Sequence, residues 1–142
     1  MDLLLLLAVA AAAFYGCYRA LLHTLEQATR TRRYLTTAEP AEVEDAFKRA
    51  MHWPVANESG PAVVVAPGRL GLPEVLCIVD DPVEDRRKVH IGMDQDSARA
   101  VGRNNALGGM IGAFFEARGI SSRLDGVETE LRRVDPQIVG VG

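Results

Sequence analysis

The chain has little of several residue types on which small proteins depend for chemistry. Its 142 residues include two cysteines, three histidines and one tryptophan, and aromatic residues make up 6% of the total. Cys17 lies in an apolar run and Cys77 in a predicted strand, so they fit neither a disulfide framework nor a zinc knuckle. We therefore predict no metal and no cofactor, and we interpret both cysteines as small apolar residues.

The chain also lacks an excess of basic charge. Its 16 lysines and arginines face 19 aspartates and glutamates, which gives a formal net charge of -3. Nucleic-acid-binding domains carry a basic excess, so we predict no nucleic-acid partner. The N-terminal segment holds no basic residue before Arg19, whereas secretory signal peptides begin with a positively charged region.

What the chain does have is a long hydrophobic run. Leu3 to Tyr18 are sixteen consecutive residues without a charge, and as a helix they span about 24 Å. If Arg19 extends its guanidinium to the headgroups, the apolar residues after it bring the helix close to the ~30 Å hydrocarbon core. The sequence therefore predicts a retained single-pass transmembrane helix.

Two other interpretations of this run are open. A cleaved signal peptide needs a small-residue cleavage site, but the run ends in the bulky pair Phe14-Tyr15. A lipoprotein would be lipidated at Cys17, but a tyrosine just before Gly16 fits that cleavage box poorly. Both interpretations are disfavoured, and the retained anchor is preferred.

The charges flanking the run predict its orientation. Basic residues stay on the cytoplasmic side of a membrane, and all of those near this helix follow it. We expect the helix to cross the cell membrane (the plasma or inner membrane), with the N-terminus outside and the remaining domain in the cytoplasm. Membrane lipids are one predicted partner. The predicted membrane-interface residues are Tyr18, Arg19, Arg30, Arg32 and Arg33.

The sequence predicts an α+β fold in two parts. Residues 1–35 form the anchor and a helical stalk that runs to Tyr34, and residues 36–142 form the cytoplasmic domain. Leu21 and Leu25 share one side of the stalk and could pack against a partner helix. The domain is predicted to follow the order α-β-β-β-α-β, with a mainly antiparallel sheet and its helices on one face.

The elements of this domain follow from local periodicity. An amphipathic helix is expected before Trp53, and "ANESGP" has the composition of a loop. Asp96 is the predicted N-cap of a long helix that ends at Gly119. The predicted strands are 62–66, 74–81, 88–94 and 126–135, and the last residues form an edge strand or a docked tail.

Two groups of residues are candidate sites. Gly108 and Gly112 share a face of the predicted long helix, where they would allow a second backbone to come close. The second group combines a histidine on the polar side of a strand with polar residues of the following helix, and it is a possible ligand site. Its members are His90, Arg99, Arg103 and Asn104.

No catalytic grouping emerges from the sequence, because no nucleophile lies in a recognisable elbow. The preferred hypothesis is an accessory or scaffold subunit that binds other membrane protein subunits. The alternative is a membrane-tethered sensor that binds a small ligand between the sheet and the glycine-rich helix.

Overall fold

The computed structural model describes residues 2–60, 62–66, 73–101 and 109–141. Four helices and six strands lie within these ranges. In chain order they are α1 (Asp2–Thr29), β1 (Arg32–Thr36), α2 (Pro40–Met51), β2 (Val55–Ser59), β3 (Ala62–Val65), β4 (Val75–Val79), β5 (Arg87–Gly92), α3 (Gln95–Ala100), α4 (Gly109–Val134) and β6 (Val139–Val141).

The strands form one six-stranded sheet in the order β2-β3-β4-β5-β1-β6. Every neighbouring pair is antiparallel. Strands β2 to β5 follow each other as a meander, which suits their short connections. β1 and β6 come from opposite ends of the domain and extend the sheet beyond β5. The predicted α+β fold with an antiparallel sheet is confirmed.

The main core lies between one face of the sheet and the helices α2 and α4. Alternate strand residues point into it, because side chains of a strand alternate between faces. Val63, Cys77 and Val89 are fully buried on this face, whereas Leu76 and Ile78 on the other face are only half-buried. The largest fully buried side chains from the helices are Phe47, Met51, Leu124 and Leu131.

Helix α2 confirms the predicted amphipathic helix. Pro40 occupies its first turn, and the Glu42 carboxylate accepts a hydrogen bond from the Glu39 backbone N–H at 3.1 Å. This hydrogen bond satisfies a backbone amide at the start of the helix that has no partner within it. The helix ends at Met51 because His52 adopts a left-handed conformation, with φ of 56°.

The predicted helical stalk is wrong beyond residue 30. Helix α1 ends at Thr29, and Arg32–Thr36 form strand β1. Tyr34 and Thr36 are 4% and 1% exposed and alternate with less buried neighbours. The strand forms because it pairs with β5 on one side and β6 on the other, and both partners are distant in sequence. Arg32 and Arg33 therefore belong to the sheet.

The strand predicted at residues 126–135 is also wrong, because helix α4 continues to Val134. Leu124, Val127 and Leu131 are each 1% exposed and follow helical spacing. The guanidinium of Arg132 lies 2.9 Å from the Glu128 carboxylate one turn earlier. Val127 and Leu131 are four residues apart, a spacing that places them on one face of either a helix or a strand, and their burial on the helix decides between the two.

The start of the predicted long helix differs in detail. Asp94, rather than Asp96, is the N-cap, because its carboxylate accepts a hydrogen bond from the Ser97 backbone N–H at 2.7 Å. This hydrogen bond lowers the pKa of Asp94. Helix α3 ends at Ala100, and α4 begins at Gly109 with φ of 60°. Residues 102–108 lie outside the described residues.

The remaining strand predictions agree with the structure apart from one omission. β3, β4 and β5 coincide with the predicted strands within two residues at each end, and β6 is the predicted edge strand. The segment expected to be a loop contributes to strand β2, which is exposed along its whole length. Lys48 of α2 holds this edge by an ion pair to Glu58 at 2.7 Å.

Candidate functional site

Helices α1 and α4 lie side by side and point in the same direction. The N-terminal part of α1 is exposed, whereas Leu21 and Ala28 are 8% and 1% exposed, and Leu25 packs on the core. The element with which α1 makes its main contacts is α4. Cavities between the two helices open to the surface, and together we call them the α1–α4 groove.

The end of the groove nearest the hydrophobic run is apolar. Its cavity has a volume of about 250 Å³, and none of the described residues that line it is charged. Ile111 and Phe115 at this end of α4 are 67% and 58% exposed, which is unusual for large apolar side chains. The lining residues are Cys17, Ala20, Leu21, Met110, Ile111 and Phe114.

The middle of the groove is polar. Phe114 also borders this second cavity, which has a volume of about 370 Å³, so the apolar and polar parts adjoin at this side chain. Arg118 is exposed and forms no ion pair with any residue in the described part of the chain. The other lining residues are His23, Thr24, Gln27, Ser121, Ser122 and Asp125.

The far end of the groove contains both charges. Here a cavity of about 380 Å³ is bordered by Arg30, Arg32 and Arg33 and by two acidic residues of α4. Arg32 donates to the Asp125 carboxylate at 2.6 Å, so the charge of Asp125 is already paired.

Tyr34 sits at this end of the groove and donates from its hydroxyl to the Glu128 carboxylate at 3.4 Å. Burial raises the pKa of Tyr34, and the negative charge of Glu128 raises it further. The phenol therefore stays protonated at neutral pH and serves as a hydrogen-bond donor.

The structure brings some of the predicted interface residues to this groove. Arg30, Arg32 and Arg33 line its far end, whereas Tyr18 and Arg19 are exposed on α1 before its buried part. The predicted packing positions Leu21 and Leu25 both lie on the buried side of α1, and their contacts are within the chain.

The predicted glycine pair is only partly described. Gly112 is buried on α4, which agrees with a close-packed position. Gly108, Arg103 and Asn104 lie outside the described residues. Arg99 is exposed on the short helix α3.

His90 lies on the face of the sheet away from α2 and α4, as its alternation predicts. Its Nε2 is 2.9 Å from an Asp80 carboxylate oxygen, and Thr31, Gly92 and Asp94 border the same small cavity of about 210 Å³. Gly92 is required here because a Cβ would come within 2.9 Å of the Thr31 hydroxyl. No cluster of three or more potential metal ligands occurs among the described residues.

Cys77 is an unreactive thiol in this fold. It is fully buried on strand β4, and desolvation raises its pKa to about 12. A thiol that stays protonated at neutral pH is a poor nucleophile. The interpretation of Cys77 as a small apolar core residue fits its position.

Sequence reasoning missed the residues of α4 that line the polar part of the groove. Arg118, Ser121 and Ser122 lie around the point where Gly119 was expected to end the helix. The helical spacing of Ile120, Leu124 and Val127 is the signal that the helix continues past Gly119. A continuous helix places these polar residues beside its apolar face.

Comparison of the chain with protein-family models, with curated proteins and with solved structures found no significant match.

Proposed function

We propose that the protein is a single-pass membrane-anchored accessory or scaffold subunit of a larger membrane protein complex. One observation carries the proposal: α1 is long and apolar enough to cross a membrane, and none of its most apolar 18-residue window is buried within the fold. An exposed apolar surface of this size requires a lipid or protein environment. Orientation by the positive-inside rule would leave the domain in the cytoplasm.

The continuity of α1 supports retention of the anchor. The same uninterrupted helix that exposes Leu3 to Tyr18 enters the core through Leu21 and Ala28. Anchor and domain therefore share an element, and no linker separates them. Such a connection suits a subunit that must hold a fixed position beside its neighbours.

The exposed helix also offers a surface for another transmembrane helix. Ala8, Ala12 and Gly16 recur every four residues, and a Cβ added at Gly16 would meet nothing within 4 Å. Small residues at this spacing allow two helices in a membrane to approach closely. The proposed partners are therefore membrane protein subunits that contact this face.

Substitution of Gly16→Leu in the full-length tagged protein tests this proposal. A leucine would block close approach on the small-residue face, so we expect stoichiometric partners to be lost when the protein is purified in mild detergent from its native cells. Ala10→Leu adds the same side chain close to the opposite side of the helix and should retain them. Quantitative mass spectrometry of both preparations measures the difference.

Two outcomes contradict the proposal. The anchor is absent if alkaline carbonate releases the unmodified protein from membranes. The subunit role fails if the embedded protein purifies without stoichiometric partners, or if Gly16→Leu and Ala10→Leu retain them equally.

A small-ligand sensor is the second candidate, and the cavity beside His90 favours it. The Asp80 carboxylate orients this imidazole, so the pair could recognise a small polar molecule. The same purification separates the two roles. His90→Ala leaves the partners of a scaffold in place, whereas a sensor would lose the ligand-induced rise in melting temperature.

A further inference from the structure

We propose that the α1–α4 groove binds one anionic phospholipid, with an acyl chain in its apolar end and the phosphate beside Arg118. This inference rests on the membrane anchor of the proposed function and adds a specific ligand to it. Three properties of the groove support it: an apolar and a polar cavity adjoin at Phe114, the boundary between them lies at a defined position along α1, and the polar cavity carries a positive charge that is unpaired among the described residues.

The groove changes from apolar to polar along its length, as a phospholipid does. Cys17, Ala20 and Phe114 border its apolar end, and Phe114 also borders the polar cavity. A molecule passing Phe114 therefore leaves apolar side chains and meets hydroxyl, amide and charged groups. An acyl chain joined to a polar headgroup matches this order, whereas a wholly polar ligand would leave the apolar end unfilled.

The change in polarity lies at the depth where the anchor leaves the bilayer. The uncharged run ends at Tyr18, and His23 lies six positions after Cys17, a rise of about 9 Å along the helix. A headgroup layer is about 5–7 Å thick on each side of the hydrocarbon core. Helix α4 follows the same division, because Gly109 to Phe115 are uncharged and Glu116 is its first charged residue.

The charge of the polar cavity favours an anion. Among the described residues, Asp125 is the one acidic residue that lines it, and Arg32 already pairs with Asp125. Arg118 makes no ion pair within the described ranges, and Ser121 and Ser122 add hydroxyl groups beside it. A guanidinium with neighbouring hydroxyl donors is well suited to phosphate oxygens.

Native mass spectrometry of the full-length protein in a nonionic detergent tests the site. With added phosphatidylglycerol or phosphatidylcholine as probes, we expect one bound lipid and tighter binding of phosphatidylglycerol. Arg118→Gln should weaken phosphatidylglycerol binding about tenfold, which corresponds to about 1.4 kcal/mol. Arg118→Lys, which keeps the charge, should retain most of the affinity.

The matched control is Arg133→Gln, which removes the same charge from the same helix away from the groove. Arg133 is highly exposed and pairs with Glu130 at 3.0 Å. Equal losses in the two glutamine variants would overturn the proposal, because they would reflect overall charge. So would equal affinity of the unmodified protein for both lipids. Melting curves recorded from Trp53 fluorescence establish that each variant is folded.

Two further measurements separate a lipid from free phosphate. Ala20→Phe fills the apolar end of the groove. It should weaken the binding of both lipids, since each places an acyl chain there. Inorganic phosphate at the same concentration should not displace phosphatidylglycerol; displacement would show that the headgroup alone is bound and would overturn the proposal. Unchanged lipid affinity in Ala20→Phe would do the same.

The lipid site and the subunit role can fail separately. A protein that carbonate does not extract and that prefers phosphatidylglycerol, yet purifies without partners, retains the lipid site and loses the subunit role. A protein with stoichiometric partners and no preference between the lipids has the reverse result.

Discussion

Asp135 connects the end of α4 to the segment between β1 and α2. Its Oδ2 accepts hydrogen bonds from the Thr36 hydroxyl at 2.7 Å and from the Thr37 backbone N–H at 3.1 Å. Its Oδ1 accepts from the Gln137 backbone N–H at 3.0 Å. Because Asp135 is 8% exposed, its charge depends on these donors for solvation.

The same contacts set the pKa of Asp135. Burial acts to raise it, but the hydrogen bonds from Thr36, Thr37 and Gln137 together outweigh burial and lower the pKa below its usual value. A carboxylate with a lowered pKa stabilises the folded protein above its unfolded pKa of about 4. That stabilisation is lost as the pH falls through the lower pKa of the folded state.

Asp135→Asn should therefore lower the free energy of unfolding at pH 7 by about 1.5–3 kcal/mol, the range for hydrogen bonds to a charged group. Denaturant titration in detergent, followed by the fluorescence of Trp53, measures the change. The difference from the unmodified protein should shrink as the pH falls below about 4. A difference that stays constant at acidic pH would contradict this account of the carboxylate.

At the scale of elements, the last third of α4 shows how one pattern can fit two structures. A strand would bury Val127, Thr129 and Leu131 on the same face, because side chains two residues apart point the same way. The helix buries Val127 and Leu131 and leaves Thr129 exposed.

Alanine substitutions distinguish the two arrangements. Leu131→Ala should cost about 2–5 kcal/mol of unfolding free energy, since it empties a fully buried position. Thr129→Ala should change it by no more than about 0.5 kcal/mol. Comparable losses from the two substitutions, measured by the same denaturant titration, would be evidence for the strand.

Sequence predicted the elements whose pattern is local and missed those that depend on distant partners. Helix α2 carries its own cap and apolar stripe, and strands β3 to β5 are short β-branched runs between turns. Strand β1 follows α1 without a proline or glycine, and its pairing with β5 and β6 leaves no local signal.

The candidate site was predictable to the same limited extent. Leu21 and Leu25 were found from helical spacing, and both lie on the buried side of α1. Arg118 was missed because its role depends on the parallel placement of α1 and α4, and the two helices are far apart in sequence. Periodicity identifies which face of a helix is apolar, but it does not identify the helix that covers it.

At the scale of the whole molecule, the folded domain includes residues that precede its predicted start at residue 36. Ala28 and Tyr34 belong to the core, and β1 lies between β5 and β6 in the sheet. A fragment that begins at Thr36 lacks Ala28, Tyr34 and most of strand β1.

We expect a fragment of residues 36–142 to lack a cooperative unfolding transition, whereas residues 20–142 should retain one. Both fragments lack the hydrophobic run, so the comparison isolates the contribution of the end of α1 and β1. Thermal unfolding followed by Trp53 fluorescence measures the result. Cooperative unfolding of the shorter fragment with equal stability would show that these residues are dispensable.

Because α1 is one uninterrupted helix, the rotation of the domain about the helix axis depends on the number of residues in the hydrophobic run. Each residue inserted into a helix turns the rest of the chain by about 100° and advances it by about 1.5 Å, whereas seven residues nearly complete two turns. A single insertion near Gly16 would therefore rotate the domain by about 100° relative to the residues before the insertion. Helix α1 thus fixes the rotational position of the domain relative to the exposed apolar surface of residues 3–18.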